Sequence, residues 1–216
     1  MPVGKFVTFE GLDGSGKSTQ LQRLAAHLTD AGHTVVVTRE PGGTPLGERI
    51  RSLVLAEARE DGGACPQPET ELALMCASRA QSVAEVIRPA LARGAWVLCD
   101  RFHDATEAYQ GGGRGLSVAL IHDLHRILCH DLQPDLTLIL DQDPGRSLER
   151  ARRRVAAGGG EGRFEAETPA FFARVAAAYR ALAQREPSRC HLIPAEGTAA
   201  EVEARIRAVV CPGMNS

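Results

Sequence analysis

No stretch of the 216-residue chain approaches the ~20 consecutive apolar residues that a bilayer-spanning helix needs, which excludes that class of membrane protein. The six cysteines (65, 76, 99, 129, 190 and 211) are scattered and include no C-x-x-C pair. Neither a cysteine-held metal site nor a disulfide framework is therefore expected, and the better reading is buried, reduced thiols. The net charge of −2 exerts no global pull toward nucleic acid or an anionic membrane. A strand-like run begins almost at once, which leaves no room for a signal peptide and predicts a cytoplasmic protein. No internal repeat is visible. The most telling scarcity is lysine, which occurs only at 5 and 17 against 23 arginines. Where nearly every cation is a planar fork, a lysine at 17 marks a need for a compact point charge.

That lysine closes the run Gly11-Leu12-Asp13-Gly14-Ser15-Gly16-Lys17-Ser18, a complete G-x-x-x-x-G-K-[ST] phosphate-binding loop. Glycines let the backbone N–H groups of such a loop turn inward around a polyphosphate. Residues Gly11 to Thr19 are thus the expected ATP-binding segment, with Lys17 reaching the outer phosphates and Ser18 placed to ligate Mg²⁺. The motif needs a strand before it and a helix after it. Lys5–Glu10 is β-prone, and Leu21, Leu24, Ala25 and Leu28 recur at helical spacing.

Further strand candidates are 33–38, 96–100, 136–141 and 190–194, separated by helical patterns at 46–58, 69–93, 117–131, 144–156, 168–186 and 198–210. Pro144 and Pro169 fall near helix starts, each preceded by a capping residue, Asp143 or Thr168. Repeated βα order predicts one α/β domain over 1–216, a parallel five-stranded sheet with helices on both faces and ligands at the carboxyl ends of the strands. Three polar, glycine-rich segments interrupt the pattern: 59–68, 110–115 and 157–163. The second reads as a turn, and the third belongs to a small mobile lid at about 150–165.

Asp100-Arg101 ends a buried strand that lies beside the phosphate loop in such a fold. Asp100 is placed to accept from Ser18 or from Mg²⁺-bound water, and Arg101 to pair with a phosphate. Arginines 150, 152, 153, 154 and 163 gather in and beside the lid. Phosphoryl transfer is catalysed by positioning and charge, so a lid that brings arginine onto the transferred group would suit it. Helical spacing puts Arg150, Arg153 and Arg154 on one face and Arg152 on the other.

From about residue 5 to about 210 the chain resembles bacterial thymidylate kinases. The resemblance is carried by F-E-G-L-D-G-S-G-K-S at 9–18, T-R-E-P-G-G-T at 38–44, S-R-A-Q at 78–81, D-R at 100–101 and A-Y-Q-G-G-G-R-G at 108–115. It implies a P-loop nucleoside monophosphate kinase fold, transfer of the γ-phosphoryl of ATP to dTMP with Mg²⁺, and a homodimer, for which the helix at 69–93 offers a surface. It also implies that Asp13 bonds the sugar 3′-hydroxyl, that Arg39 and the Glu40–Gly43 segment shape the acceptor pocket, and that Arg51 holds the acceptor. Arg79 would contact the thymine carbonyl and Arg101 the acceptor phosphate, while Thr106 and Gln110 meet the base. Tyr109 would crowd the sugar 2′ position. Met75 stands where relatives commonly stack Phe on thymine, and Phe102 where many have Tyr or His. The loop itself carries no arginine, so the catalytic charge is expected from the lid, with Arg154 and Arg163 leading. A kinase for another deoxynucleoside monophosphate is the alternative. A guanine-nucleotide switch is disfavoured, because the sequence has no N-K-x-D motif and no D-x-x-G after Asp100.

Overall fold

The computed structural model describes residues 4–55, 66–158, 163–164 and 166–211. Most of the connection expected at 59–68, Cys65, and residues 159–162 and 165 of the expected lid lie outside the described residues. Five strands, β1 (Phe6–Gly11), β2 (Val35–Arg39), β3 (Trp96–Asp100), β4 (Leu136–Asp141) and β5 (Cys190–Pro194), form one parallel sheet in the order β2-β3-β1-β4-β5. The helices are α1 (Lys17–Asp30), α2 (Pro45–Leu55), α3 (Pro68–Ser82), α4 (Arg88–Ala92), α5 (His103–Thr106), α6 (Val118–Cys129), α7 (Pro144–Ala156), α8 (Pro169–Arg185) and α9 (Ala199–Val210).

Strand alternation divides the core into layers. Val7, Phe9, Leu98, Leu138 and Leu140 face α1 and α9, against Leu21, Leu24, Leu28, Val202 and Ile206. Phe6, Val97 and Cys99 face the other way, toward Ile87, Ala90 and Phe102. Ile139 on that second face packs with Phe171, Phe172 and Val175 of α8. Helices on both faces explain why the strands read as nearly unbroken apolar runs. The capping expectations hold: Asp143 accepts from Arg146 N at 3.0 Å, and Thr168 accepts from Phe171 N at 3.2 Å. Among the described residues no helix is long and apolar enough to cross a membrane, and the five cysteines described are buried thiols.

Two departures from the sequence reading bear on the site. The helix expected over 69–93 widens into a π turn at Val83–Ile87, next to Pro89, which has no N–H to give Glu85. The expected turn at 110–115 is instead mostly a π-helical segment, Glu107–Gly113, continuing directly from α5. Its glycines serve close packing: a Cβ on Gly112 would meet Ala178 Cβ at 2.6 Å, and one on Gly113 the Phe171 ring at 2.5 Å. Helix α8 can therefore lie directly on this segment, which fixes Tyr109 and Gln110 above the strand ends.

Candidate active site

The loop between β1 and α1 wraps the N-terminus of α1, where backbone N–H groups point outward and favour anions. Gly16 has φ 98° and open space where a Cβ would stand. Gly14 has the opposite surroundings, since a Cβ there would lie 2.3 Å from Ser147 O. Helix α7 thus rests on the loop, and the Arg150 Cβ is also beside Gly14.

Lys17 is buried, and its Nζ donates to Gly11 O (3.2 Å) and Leu12 O (2.9 Å) and lies 3.8 Å from Asp13 Oδ1. Burial, then the Arg101 guanidinium, lower its pKa, and nearby carboxylates only partly offset this. Ser18 Oγ donates to Asp100 Oδ2 at 2.9 Å. A hydroxyl and a carboxylate side by side at a phosphate loop form the oxygen donor set that a hard divalent cation takes, so the residues fit Mg²⁺.

Arg101, at the left-handed φ of 71°, links the loop to the rest of the site. Its Nη1 donates to Gly11 O (2.9 Å) and Tyr179 OH (3.2 Å), and its Nη2 to Asp13 Oδ1 (2.8 Å) and Tyr109 OH (3.1 Å). Tyr109 OH donates in turn to Asp13 Oδ2 at 3.2 Å. Burial opposes the charge on Asp13, but Arg101 and Lys17 outweigh it and hold the carboxyl well below the usual range. Beneath Arg101, Glu10 accepts from Phe102 N and Tyr179 OH, both at 2.7 Å. Burial, with a smaller contribution from Asp104, pushes Glu10 up to about 8. The two acids at this strand end are therefore in opposite states at neutral pH.

A cleft of about 730 Å³, including its open mouth, runs from Asp13 and Arg101 away from the loop. Arg51, Met75, Arg79, Thr106, Tyr109 and Gln110 line it, and so do Arg154 and Arg163. Arg79 is buried; its Nε donates to Glu40 Oε2 (2.8 Å) and its Nη2 to Phe102 O (3.2 Å) and Thr106 Oγ1 (2.6 Å). Burial raises Glu40 to about 7 against the pull of Arg79. Gln110 Nε2 donates to Glu71 Oε1 at 2.6 Å. Phe102 is fully buried against Phe6, with the Arg79 guanidinium 5.5 Å from its ring centroid.

Of the acceptor-pocket candidates, Glu40 and Pro41 line the cleft, whereas Arg39, Gly42 and Gly43 do not. Arg39 ends β2 and pairs with Glu48 at 2.7 Å. The arginines of α7 separate as the helix turns. Arg154 lines the cleft close enough to Asp13 to help lower its pKa. Arg153, grouped with it by spacing, is exposed and pairs with Glu149, while Arg152 donates to Glu167 O. Arg163 is buried and donates to Glu71 Oε2 (2.6 Å), Val54 O (2.5 Å) and Pro66 O (3.4 Å). Its guanidinium is thus engaged at the ends of α2 and α3 while it also lines the cleft; the sequence makes it a candidate for the lid charge on the transferred group.

Sequence reasoning passed over Glu10, Glu71 and Tyr179. Glu10 carried a usable signal, a lone acid in an apolar strand. Tyr179 is one of only two tyrosines in the chain. Glu71 offered none, because its partners Gln110, Arg114 and Arg163 lie 39, 43 and 92 residues away.

A family model described as Thymidylate kinase matches residues 9–206. The thymidylate kinase of Desulfosudis oleivorans is 50% identical over 208 residues, 95% of each chain. That of Pseudomonas syringae is 53% identical over 202 residues, covering 94% of this chain and 92% of the relative. The crystal structure of thymidylate kinase from Ehrlichia chaffeensis superposes with a TM-score of 0.75 at 33% identity, covering 97% of this chain and 99% of the other.

Proposed function

The chain belongs to the thymidylate kinase family and passes the γ-phosphoryl group of ATP to dTMP, yielding ADP and dTDP; we propose how the residues of the cleft divide that work. One observation carries the proposal. The cleft meets the phosphate loop at Asp13 and Arg101, so an acceptor lying in it would present its phosphate where the triphosphate ends.

The base lies at the far end, with Met75 packed on its face and Arg79, Thr106 and Gln110 at its edge. Arg79 Nη1 has no protein acceptor among the described residues, and that N–H is the donor for the thymine carbonyl. Asp13 takes the 3′-hydroxyl, and Tyr109, held by Arg101 and Asp13, stands against the sugar 2′ carbon. Arg101 and Arg51 hold the acceptor phosphate, one oxygen of which attacks the γ-phosphorus as the bond to the ADP oxygen breaks. No general base is required, because the attacking oxygen is already anionic. Lys17 exchanges its two loop carbonyls for the outer phosphates of ATP. Ser18 and Asp100 are the groups to hold Mg²⁺, which when bound neutralises charge on the donor phosphates.

Arg154, at the end of α7, supplies the lid charge toward the transferred group, and Arg163 ties the lid to α3 through Glu71. Closure of the 150–165 segment would exclude water from the γ-phosphorus. The protein works in the cytoplasm as a homodimer. Exposed Leu120, Ile127 and Leu128 make α6 the larger contributor to that interface, with the exposed small residues Ala73 and Ala77 of α3 beside it. Arg39, paired with Glu48, supports the acceptor pocket from outside.

The test is an initial-rate panel with ATP, Mg²⁺ and dTMP, dUMP, dCMP, thymidine or no acceptor. ADP formation should be fastest with dTMP and should collapse with thymidine, which has no phosphate for Arg101. Equal rates with and without acceptor would sink the proposal.

A further inference from the structure

Glu71 does not line the cleft, but it bonds two residues that do, Gln110 and Arg163. It is fully buried and takes three partners: Gln110 Nε2 at 2.6 Å on Oε1, Arg163 Nη2 at 2.6 Å on Oε2, and Arg114, through Nη2 at 3.3 Å on Oε2 and Nε at 3.4 Å on Oε1. Arg114 is itself shared with Glu167. A carboxylate has only acceptors, whereas a glutamine amide has a donor edge and an acceptor edge. The amide of Gln110 can therefore meet Glu71 only through its NH₂. Its carbonyl oxygen is left without a donor among the described residues, and Gln110 lines the cleft.

We propose that Glu71 is a positioning residue for base selection: by claiming the Gln110 amide NH₂ it forces the amide oxygen to face the base. The inference rests on the reading above that places the base beside Gln110. An acceptor at Gln110 next to a donor at Arg79 matches a pyrimidine whose ring N3 carries a proton and whose C4 bears a carbonyl. Cytosine offers the reverse pair, an unprotonated N3 and a C4 amino group. It would leave both protein groups facing like partners, and unpaired polar groups in a built site are a strong source of rejection. Thymine and uracil are not separated by this device, since they present the same edge.

Glu71→Gln tests the idea because the new amide can keep its oxygen on Arg163 and offer its NH₂ to Gln110. The Gln110 amide is then free to turn over and present a donor to the cleft. The ratio of kcat/KM for dCMP to that for dTMP should rise by about tenfold, the worth of one exchanged hydrogen bond. A merely structural role for Glu71 would lower both values together and leave the ratio where it was. Gln110→Ala separates the two layers of the argument. A shifted ratio in Gln110→Ala with none in Glu71→Gln overturns the role of Glu71 alone. An unchanged ratio in both overturns the placement of the base on which it depends.

A measurement on the unaltered protein stands beside these variants in case Glu71→Gln does not fold. In ¹⁵N-glutamine-labelled protein saturated with dTMP, the Gln110 side-chain NH₂ protons should show nuclear Overhauser contacts to the Glu71 methylenes. Contacts from those protons to the thymine N3 proton instead would contradict the proposal.

Discussion

Lys17 holds two carbonyls of its own loop in a buried site whose surroundings already lower its pKa, so its charge is poorly compensated until phosphate arrives. Lys17→Ala should reduce kcat by roughly 10²-fold or more, the scale for losing one charged group at a transferring phosphoryl. A coupled ADP assay checks this, and retention of most activity would remove Lys17 from its role. Tyr109 is fixed by Arg101 and Asp13, and its ring is walled by Phe164 at a centroid distance of 5.4 Å. Tyr109→Ala should raise activity toward the ribonucleotide relative to dTMP more than it lowers turnover, as measured by the ratio of kcat/KM values. Glu10 makes a different prediction, about pH. Its folded pKa of about 8 stands above the ordinary 4.5, so it binds its proton more tightly when folded. That contribution to stability is complete below pH 4.5 and is lost as pH rises through 8. Glu10→Gln should therefore lose less stability between pH 5 and pH 8 than the parent in urea titrations. Parallel pH dependence of the two proteins would count against the raised acid.

Packing of α8 onto the Glu107–Gly113 turn is the element on which the acceptor side of the cleft depends. Gly112→Ala places a methyl 2.6 Å from Ala178 Cβ and should cost about 1–3 kcal/mol by overpacking. It should also raise KM for dTMP, because Tyr109 and Gln110 ride on the same turn. Urea melts and initial rates read the two effects separately. This turn also marks where the sequence stops being legible. The phosphate loop, Asp100-Arg101 and the capped starts of α7 and α8 could be read because each is a local pattern whose geometry follows from adjacent residues. A run of three glycines says that something needs freedom or room without saying which, and here the need is room for α8. The same limit applies to Arg163 and Arg39. Spacing along a helix or lid gives the face a side chain starts from, but the partner that captures it, Glu71 or Glu48, is decided by tertiary packing.

At the scale of the molecule, the strand order β2-β3-β1-β4-β5 puts the ends of β1 and β3 side by side, which is where the proposed donor and acceptor halves meet. β1 delivers Glu10 and the phosphate loop, and β3 delivers Asp100 and Arg101. That arrangement was legible from βα alternation, because a parallel sheet collects its functional residues at the carboxyl ends of its strands. The outer surface was less legible. In the sequence the apolar helix at 69–93 reads equally as a surface for self-association or as a core face, whereas in the structure α6 exposes Val118, Leu120, Ile127 and Leu128. Ile127 is 59% exposed, so Ile127→Asp should leave the monomer folded while halving the sedimenting mass. A mass that stays at the dimer value would move the interface elsewhere, and a parent protein that already sediments as a monomer would overturn the proposed homodimer. The most direct test of the joined halves is ³¹P NMR of the protein with ATP, Mg²⁺ and dTMP. The β-phosphorus of dTDP should grow in equal step with ADP, and inorganic phosphate should stay at baseline. Inorganic phosphate rising with ADP, and no dTDP, would mean that the cleft does not hold an acceptor in line with the loop.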